Sequence, residues 1–357
     1  MTVIAPPSEA SPFAMIESRL LAAILAAPPA FRFAVGPISV DVHAAEPGMA
    51  ARALPVLEHA LVEAPRDMHI RVAMVDTSAI GEPPPPTLPG AESLLAPDDE
   101  VNLREGPRIA AIHQAQSRTW ETFDSTRGLG LILTADASCI APWEWAAPFK
   151  RMIAWASAGR PYGLLHGAVL ARDGHGVMLA GGSGVGKSTT TAAAILRGLR
   201  TVGDDVALIE WREPGNILAH AAYDSLKVGE GSLALLGGRI AAAGEAVGPG
   251  IAKHLLRISD VTPGALTSTV RLRAVLLPRL AHATVSSLRP APPGALLRAL
   301  GPHSAYVMRV TPEASFALAA RLARSMPCRV LDLSSDPLEA AAFLERVLDD
   351  IIAGREP

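Results

Sequence analysis

Cysteine and lysine are both scarce in this sequence. The chain of 357 residues has two cysteines, Cys139 and Cys328, which lie far apart and outside the short spacings of a metal site. This excludes a disulfide framework and a cysteine-based zinc site, so we expect two free thiols in a reducing compartment. Four lysines stand against 28 arginines, and this imbalance makes the position of each lysine informative.

The chain also lacks an excess of positive charge and a long apolar run. Its net charge of −3 provides no basic field for a phosphate backbone, so no nucleic-acid partner is expected. The apolar stretch 20–27 is too short to cross a bilayer. It follows Glu9, Glu17 and one arginine rather than the basic start of a signal peptide. We therefore expect a cytoplasmic protein with no membrane partner.

Residues 181–188 read Gly-Gly-Ser-Gly-Val-Gly-Lys-Ser and fill every fixed position of the phosphate-binding loop G-x-x-x-x-G-K-[ST]. An apolar run at 176–180 predicts a strand entering the loop, and the Ala- and Leu-rich stretch 189–199 predicts a helix leaving it. Such a loop surrounds an anion with backbone N–H groups. We expect ATP here, with Lys187 at its β- and γ-phosphates and the Ser188 hydroxyl on Mg²⁺. The expected nucleotide-binding residues are Gly181, Gly182, Ser183, Gly184, Val185, Gly186, Lys187, Ser188 and Thr189.

The loop alone does not define the reaction, because kinases, GTPases, transporter ATPases and motors all share it. No L-S-G-G-Q signature occurs, and no apolar run ends in adjacent Asp and Glu. Both absences argue against a transporter-type ATPase. The net charge argues against a motor that moves on nucleic acid.

Asp204 and Asp205 stand directly before an apolar run, 206–209, that predicts a strand. Phosphoryl transfer to a hydroxyl needs one carboxylate near the metal and one that can take the proton of the acceptor. Successive residues of an extended segment point to opposite sides, so the two acids are expected to have different roles. The structural alternative is a loop in which these acids only cap a turn.

The sequence predicts a two-domain organisation. Residues 1–140 are expected to form a smaller β-rich domain of unknown role. An α/β nucleotide-binding domain is expected over 141–357, with a helix over 143–158 near its start, a strand at 328–333 and a helix at 337–352. The strands predicted for the first domain cover 31–35, 38–42, 69–75, 108–112 and 129–133.

A further group of residues carries a family resemblance. Leu165-His166-Gly167, a predicted antiparallel hairpin, the phosphate loop and Gly203-Asp204-Asp205-Val206 follow one another in this order. They resemble the catalytic domain of HPr kinase/phosphorylase. They are more similar still to the HPr-kinase-related serine kinases found beside peptide-modification genes, including the lasso peptide kinases. Segments 31–42, 222–227 and 326–337 are similar to the same group.

The resemblance implies an α/β phosphate-loop kinase domain of the HPr kinase and phosphoenolpyruvate carboxykinase type, preceded by the β-rich domain. It implies ATP and Mg²⁺ as cofactors and transfer of the γ-phosphate to a serine of a small protein or a precursor peptide. It places Asp204 as the catalytic acid/base, Asp205 as the metal-side carboxylate and His166 in the site. A homo-oligomer is left open.

The sequence departs from the family in ways that leave alternatives open. Thr189 stands where HPr kinases carry a glutamate, and their second glycine-rich signature has no counterpart, so HPr as acceptor and the reverse phosphorolysis are open. Lys227 either contacts the phosphate or is exposed to solvent. Glu230 either is a second metal ligand or has no role at the metal. Arg271 and Arg273 share one face of a predicted strand, and either they contact phosphate or substrate or they form salt bridges or face solvent. The alternative functions are a small-molecule phosphotransferase, acting on free serine or of carboxykinase type, and a non-catalytic regulatory module that binds nucleotide.

Overall fold

The computed structural model describes residues 2–3, 18–87, 100–105, 108–115, 117–213, 215–240, 245–248, 251–308 and 310–356. The chain divides into two compact units, Met1–Ala156 and Ser157–Pro357. Both units contain strands and helices, so the fold is mixed α/β with several sheets. Within these ranges we find no helix that combines the length and the apolar character needed to span a membrane.

The first unit contains one mixed sheet flanked by short helices. Its strands are β1 (Thr2–Val3), β2 (Phe31–Val35), β3 (Ile38–Ala44), β4 (Met68–Asp76), β5 (Glu100–Glu105), β6 (Ile109–Gln114), β7 (Thr119–Asp124) and β8 (Leu129–Thr134). Its helices are α1 (Arg19–Ala26), α2 (Pro47–Ala53), α3 (Thr77–Ile80), α4 (Pro142–Trp145) and α5 (Lys150–Ser157). The strand order is β1-β5-β6-β7-β8-β4-β3-β2. All five strands predicted for this region are present.

The boundary between the units lies after Ala156, whereas the sequence analysis put it near residue 140. The segment that follows residue 140 packs into the first unit through its aromatic side chains. Trp155 stacks on Phe123 with ring centroids 6.1 Å apart, and Phe149 meets Phe33 at 5.6 Å. Burial of these rings holds the segment in the first core.

The single helix expected over 143–158 is two helices, α4 and α5. Pro148 has no backbone N–H to donate, and Phe149 adopts a positive φ of 62°. A residue in the left-handed region cannot continue a right-handed helix. The chain therefore turns between the two helices, and this turn brings the Phe149 ring into the core.

The second unit contains two sheets. Its strands are β9 (Tyr162–His166), β10 (Ala168–Arg172), β11 (His175–Leu179), β12 (Arg200–Gly203), β13 (Val206–Glu213), β14 (Asn216–Ala221), β15 (Leu226–Gly229), β16 (Glu245–Gly248), β17 (Ile251–Leu256), β18 (Thr269–Ala283), β19 (Ser287–Pro290) and β20 (Cys328–Ser334). Its helices are α6 (Lys187–Leu196), α7 (Glu230–Leu235), α8 (Ile258–Val261), α9 (Ala295–Met308), α10 (Pro312–Ser325) and α11 (Pro337–Ile352). The larger sheet runs β12-β10-β11-β18-β14-β13-β9, with β20 beside β18 and β19 beside β20, and the smaller runs β15-β17-β16.

Helices cover both faces of the larger sheet. Along β18, Leu276 joins a core cluster with Leu344 of α11 and buried residues of α6. Its neighbour Val275 joins a second cluster with Leu300 of α9 and Leu322 of α10. Adjacent strand residues point to opposite faces, so α6 and α11 lie on one face and α9 and α10 on the other. The closing strand and helix predicted from the sequence are β20 and α11.

Candidate functional site

A tight hairpin leads the chain into the glycine-rich loop. β10 and β11 pair antiparallel, with Arg172 opposite His175. Asp173 and Gly174 between them both have positive φ, 48° and 78°, as a two-residue turn of this kind requires. β11 ends at Leu179, and the loop follows. The hairpin and the entering strand expected from the sequence are therefore present.

The loop passes directly into helix α6. Gly186 is the N-cap residue in a left-handed conformation, with φ 101°, and the helix begins at the next residue, Lys187. A side chain at Gly186 would be strained by this φ, and its Cβ would lie 2.8 Å from Cδ1 of Leu333. The helix starts two residues earlier than predicted and stops at Leu196. Gly198, with φ 99°, ends it in the usual way.

Lys187 lies across the mouth of this loop. Its Nζ donates to the carbonyl oxygens of Gly181 at 2.7 Å and Gly182 at 2.8 Å. The side chain is buried, and this burial lowers the pKa of Lys187, against the opposing charges of Asp205 and Asp204. An ammonium group is therefore held among the backbone groups of the loop, where an incoming phosphate would meet it.

The acidic doublet is fixed next to the loop by strand pairing. β12 ends at Gly203 beside β10, and β13 begins at Val206, opposite His166 of β9. The backbone N–H of Gly167 donates to the carbonyl of Asp205 at 3.0 Å. These bonds hold the connection between β12 and β13 against the strands that lead to the loop. The sequence-predicted residues His166, Lys187, Asp204 and Asp205 are thus brought together.

Asp204 is the buried member of the doublet, with 1% of its surface exposed. Its Oδ2 accepts a long hydrogen bond of 3.4 Å from the backbone N–H of Lys227. Its Oδ1 is buried without a hydrogen-bond partner among the residues described. Burial and the charge of Asp205 raise the pKa of Asp204 to about 6, opposed by the nearby Ser188 hydroxyl. A buried carboxylate oxygen without a partner, close to Ser188, is suited to a cation.

Asp205 is the member that faces the cleft. Its Oδ2 lies 2.8 Å from Nζ of Lys227, and its Oδ1 lies 3.4 Å from Nδ1 of His166. Burial acts to raise the pKa of Asp205, but Lys227 and His166 hold it well below its ordinary value. Asp205 is therefore ionised throughout the neutral range. The two acids are thus distinguished by position, with Asp204 buried and Asp205 open to the cleft.

His166 lies at the end of β9 against helix α9. Its backbone N–H donates to the Ser304 hydroxyl at 3.0 Å. Burial lowers the pKa of the His166 imidazole to about 4, although the nearby Asp205 acts to raise it. The ring is therefore neutral at physiological pH and can exchange hydrogen bonds with Asp205 or a ligand.

His166, Lys187 and Asp205 line a cleft with a volume of about 760 Å³, and Asp204 is buried behind it. The phosphate loop and the start of α6 form one wall, and β15, α7 and Lys253 form another. Thr189 and Ser232 join the two walls through a hydroxyl–hydroxyl contact of 2.6 Å. Glu230 also lines the cleft. The cleft is large enough for a nucleotide with room for an acceptor group.

Two lining residues, Lys253 and His282, are not found by reasoning from motifs. Lys253 lies on β17 opposite Gly229 of β15, and His282 lies near the end of β18 with a positive φ of 53°. No local motif surrounds either residue. The scarcity of lysine is the one sequence signal that could have drawn attention to Lys253.

Arg271 and Arg273 lie on one face of β18, as predicted, but neither lines the cleft. The guanidinium of Arg271 donates to the carbonyl of Gly215 at 2.9 Å on the exposed surface. Its position is that of a structural residue. β18 itself is longer than the predicted strand because it continues alongside β20.

The donor set of the cleft fits a nucleotide-bound Mg²⁺ rather than a metal held by protein alone. In the described parts of the chain, no three His, Cys, Asp or Glu residues are grouped so that they could hold a metal. Mg²⁺ at nucleotide sites needs only one or two protein oxygens, because phosphates and water supply the rest. The Ser188 hydroxyl and the Oδ1 of Asp204, which has no hydrogen-bond partner among the described residues, would supply such oxygens.

Comparison with known proteins gives a weak structural likeness. No family model matches the sequence, and no curated protein matches it. Among solved structures, an Hpr(Ser) kinase/phosphatase from Coxiella burnetii is similar over 53% of this chain and 98% of its own, with a TM-score of 0.29 and 13% identity. A likeness of this size identifies neither fold nor activity, so the function has to be derived from the site.

Proposed function

We propose that this chain is an ATP- and Mg²⁺-dependent kinase of the HPr kinase type that transfers the γ-phosphoryl group to a serine of a small protein or peptide. One observation carries the proposal: two adjacent carboxylates of different exposure lie beside one phosphate loop. Asp204 is buried near Ser188, and Asp205 opens to the cleft. A module that only binds nucleotide needs no carboxylate in the second position.

The phosphate loop would bind and orient the nucleotide. Its backbone N–H groups and the start of α6 would surround the β-phosphate, and Lys187 would move from the loop carbonyls to the β- and γ-phosphates. Ser188 and Asp204 would hold Mg²⁺, which when bound neutralises charge on the phosphates. Asp204 binds protons more readily than an ordinary aspartate, so metal binding would keep it ionised.

Asp205 would receive the proton of the acceptor. The acceptor oxygen forms a bond to the γ-phosphorus while the bond from that phosphorus to the bridging oxygen of ADP breaks, and the hydroxyl proton passes to the Asp205 carboxylate. Asp205 suits this role because it faces the cleft and is ionised beside Lys227. A low proton affinity is tolerable, because the acceptor in a loose phosphoryl-transfer transition state loses its proton late. Neutral His166 would orient this carboxylate.

Transfer of label from γ-labelled ATP to serine peptides tests the proposal. We expect Lys187→Ala to abolish transfer, and Asp205→Asn to lower it by at least about 100-fold while nucleotide still binds. Asp204→Asn should lose the contribution of Mg²⁺ to nucleotide binding. The matched control for each peptide carries alanine in place of serine.

Acceptor screening separates the proposed kinase from the alternatives. Free serine and oxaloacetate, assayed beside the peptides, would reveal a small-molecule phosphotransferase. Tight ATP binding without transfer to any acceptor and without hydrolysis would contradict the kinase and favour a regulatory module. An Asp205→Asn enzyme with an undiminished rate would remove the proposed base.

A further inference from the structure

Lysine is concentrated in the cleft. The chain has four lysines and 28 arginines, and three of those lysines, Lys187, Lys227 and Lys253, line the cleft. Among its described lining residues there is no arginine. Lysine presents a compact point charge on a flexible stem, whereas arginine presents a rigid fork. Three lysines in one cleft provide separate point charges that can converge on one group.

Two of these lysines belong to one face of the small sheet. In the antiparallel pair β15–β17, Lys227 lies opposite Leu255 and Gly229 lies opposite Lys253. Residues directly opposite share a face, so Lys227 and Lys253 are diagonal neighbours on that face, with side chains roughly 7 Å apart at their base. Gly229, directly opposite Lys253, has no side chain that could stand between the two lysines. The pair lines the same cleft as the phosphate loop.

Lys227 and Lys253 differ in their charged neighbours. Lys227 is paired with Asp205. Lys253 has no ion pair within the described part of the chain, and its side chain is exposed in the cleft. Lys187 and Lys253 line the same cleft with charges of the same sign, so their ammonium groups repel each other. An anion between them would relieve this repulsion.

We propose that Lys253, together with Lys227, forms a two-ammonium site that contacts the terminal phosphoryl group of a bound nucleoside triphosphate from the side opposite Lys187. The proposal rests on the proposed function and adds a specificity determinant to it. ADP has no group that reaches this site, so Lys253 distinguishes triphosphate from diphosphate. During transfer, three lysines would share the negative charge of the equatorial oxygens.

Nucleotide binding to the full-length protein tests the site directly. Calorimetry would compare the Mg²⁺ complexes of ADP and of the non-hydrolysable β,γ-methylene analogue of ATP. For Lys253→Met we expect a loss of about tenfold in affinity for the triphosphate, the usual effect of removing a charged hydrogen bond. Affinity for ADP should stay within about twofold, because only the triphosphate reaches the site. Lys253→Arg should recover part of the loss, because it restores the charge without the point geometry.

Arg239→Met is the matched control. Arg239 is an exposed cation that follows α7 and does not line the cleft. Its loss changes the net charge by the same amount as the loss of Lys253, so it reports any general electrostatic effect. We expect both nucleotide affinities to be unchanged. Equal losses in Lys253→Met and Arg239→Met would overturn the proposal.

Chemical labelling provides a second measurement. The probe is a nucleoside triphosphate that carries an acyl group on its terminal phosphate. A lysine amine next to that phosphate attacks the acyl carbon and forms an amide, the bond from carbon to phosphate oxygen breaks, the nucleotide leaves with the electron pair, and the amine proton goes to solvent. Mass spectrometry should find the label on Lys253 and find it prevented by ATP. Lys150, in the first unit, is the internal control. Labelling of Lys187 without Lys253 would contradict the site.

The outcomes separate failure of this site from failure of the proposed function. A wild-type protein that binds neither nucleotide would overturn both. A wild-type protein that binds ATP and transfers its phosphoryl group, with a Lys253→Met variant of unchanged triphosphate affinity, would overturn the lysine site alone. A raised KM for the acceptor with unchanged ATP affinity would also overturn it, because Lys253 would then contact the acceptor.

Discussion

The Nζ of Lys227 lies 2.8 Å from Oδ2 of Asp205, and this pair sets the protonation state of the carboxylate that faces the cleft. Burial alone would raise the pKa of Asp205, and Lys227 is the strongest of the groups that lower it. The lysine therefore does more than supply a positive charge. It keeps a partly enclosed carboxylate able to accept a proton.

Loss of Lys227 should move the pH profile of the reaction. In Lys227→Met, burial is no longer opposed by the nearest cation, so the pKa of Asp205 rises. We expect the acid limb of kcat/KM to move to higher pH by roughly one to three pH units, the usual effect of an opposite charge at this distance. Lys227→Arg keeps the charge and should keep the limb in place. A rate that falls equally at all pH values would show that Lys227 acts on the phosphate alone.

Asp204→Asn should stabilise the protein in the absence of metal. The pKa of Asp204 is raised from 3.8 to about 6 by burial, so the folded state binds a proton more tightly than the unfolded state. Its ionised form therefore costs stability at neutral pH, roughly 3 kcal/mol for a rise of this size. We expect the unfolding transition of the second unit to shift upward by several degrees at pH 8, and the gain to shrink as pH falls below about 6.

Asp205→Asn is the control, because its expected effect on stability has the opposite sign. The pKa of Asp205 is lowered in the folded state by Lys227 and His166. Its ionised form therefore contributes stability that is present above the unfolded pKa and is lost as pH falls through the folded value. Asp205→Asn should lower the transition temperature at neutral pH. If both substitutions moved it in the same direction, the assigned environments of the two acids would be wrong.

Mg²⁺-dependent binding should weaken in acid because Asp204 gains a proton. Below its pKa of about 6, the metal has to displace that proton, and affinity should fall by up to about tenfold per pH unit. Nucleotide phosphates also titrate, so the informative quantity is the difference between wild type and Asp204→Asn at each pH. Titration calorimetry of ATP with and without Mg²⁺ measures it. Parallel curves for the two proteins would exclude Asp204 as a metal ligand.

Local sequence patterns were sufficient to predict those elements whose structure is determined by neighbouring residues. Helix α11 occupies its predicted range, 337–352, because Asp336 caps its first turn and Pro337 stands at its first position. The strand, glycine loop and helix around residues 181–188 were predicted for a similar reason, since the glycines of the motif meet backbone requirements. Asp204 and Asp205 were expected beside this loop because phosphoryl transfer needs carboxylates there, and they lie beside it in the structure.

Contacts between residues far apart in the chain determine the features that the sequence did not predict. Lys253 reaches the cleft because β17 pairs with β15, and no short motif encodes that pairing. The burial of Asp204 but not of Asp205 is a result of tertiary packing. The observed domain boundary lies after the predicted one because the ring of Trp155 stacks on Phe123 of the first unit.

Gly167 connects the acidic doublet to the phosphate loop, and Gly167→Ala should therefore impair both. Its N–H donates to the carbonyl of Asp205 at 3.0 Å. A Cβ at this position would lie 2.8 Å from the carbonyl oxygen of Leu179, the last residue of β11, and 2.6 Å from Cε of Met178. The Met178 methyl can move, but the backbone of β11 cannot without shifting the loop.

We expect Gly167→Ala to cost about 1–3 kcal/mol of unfolding free energy, the usual cost of an overpacked core, and to weaken ATP binding as well. Gly174→Ala, in the exposed hairpin turn, is the matched control. It has φ 78° and open space around its Cβ position, so it should cost about 1 kcal/mol from backbone strain and leave ATP affinity unchanged. Urea unfolding and calorimetry on both variants measure the two effects. If Gly167→Ala lost stability but kept full ATP affinity and transfer, the doublet and the loop would be mechanically independent, and the strand pairing would not be what positions the site.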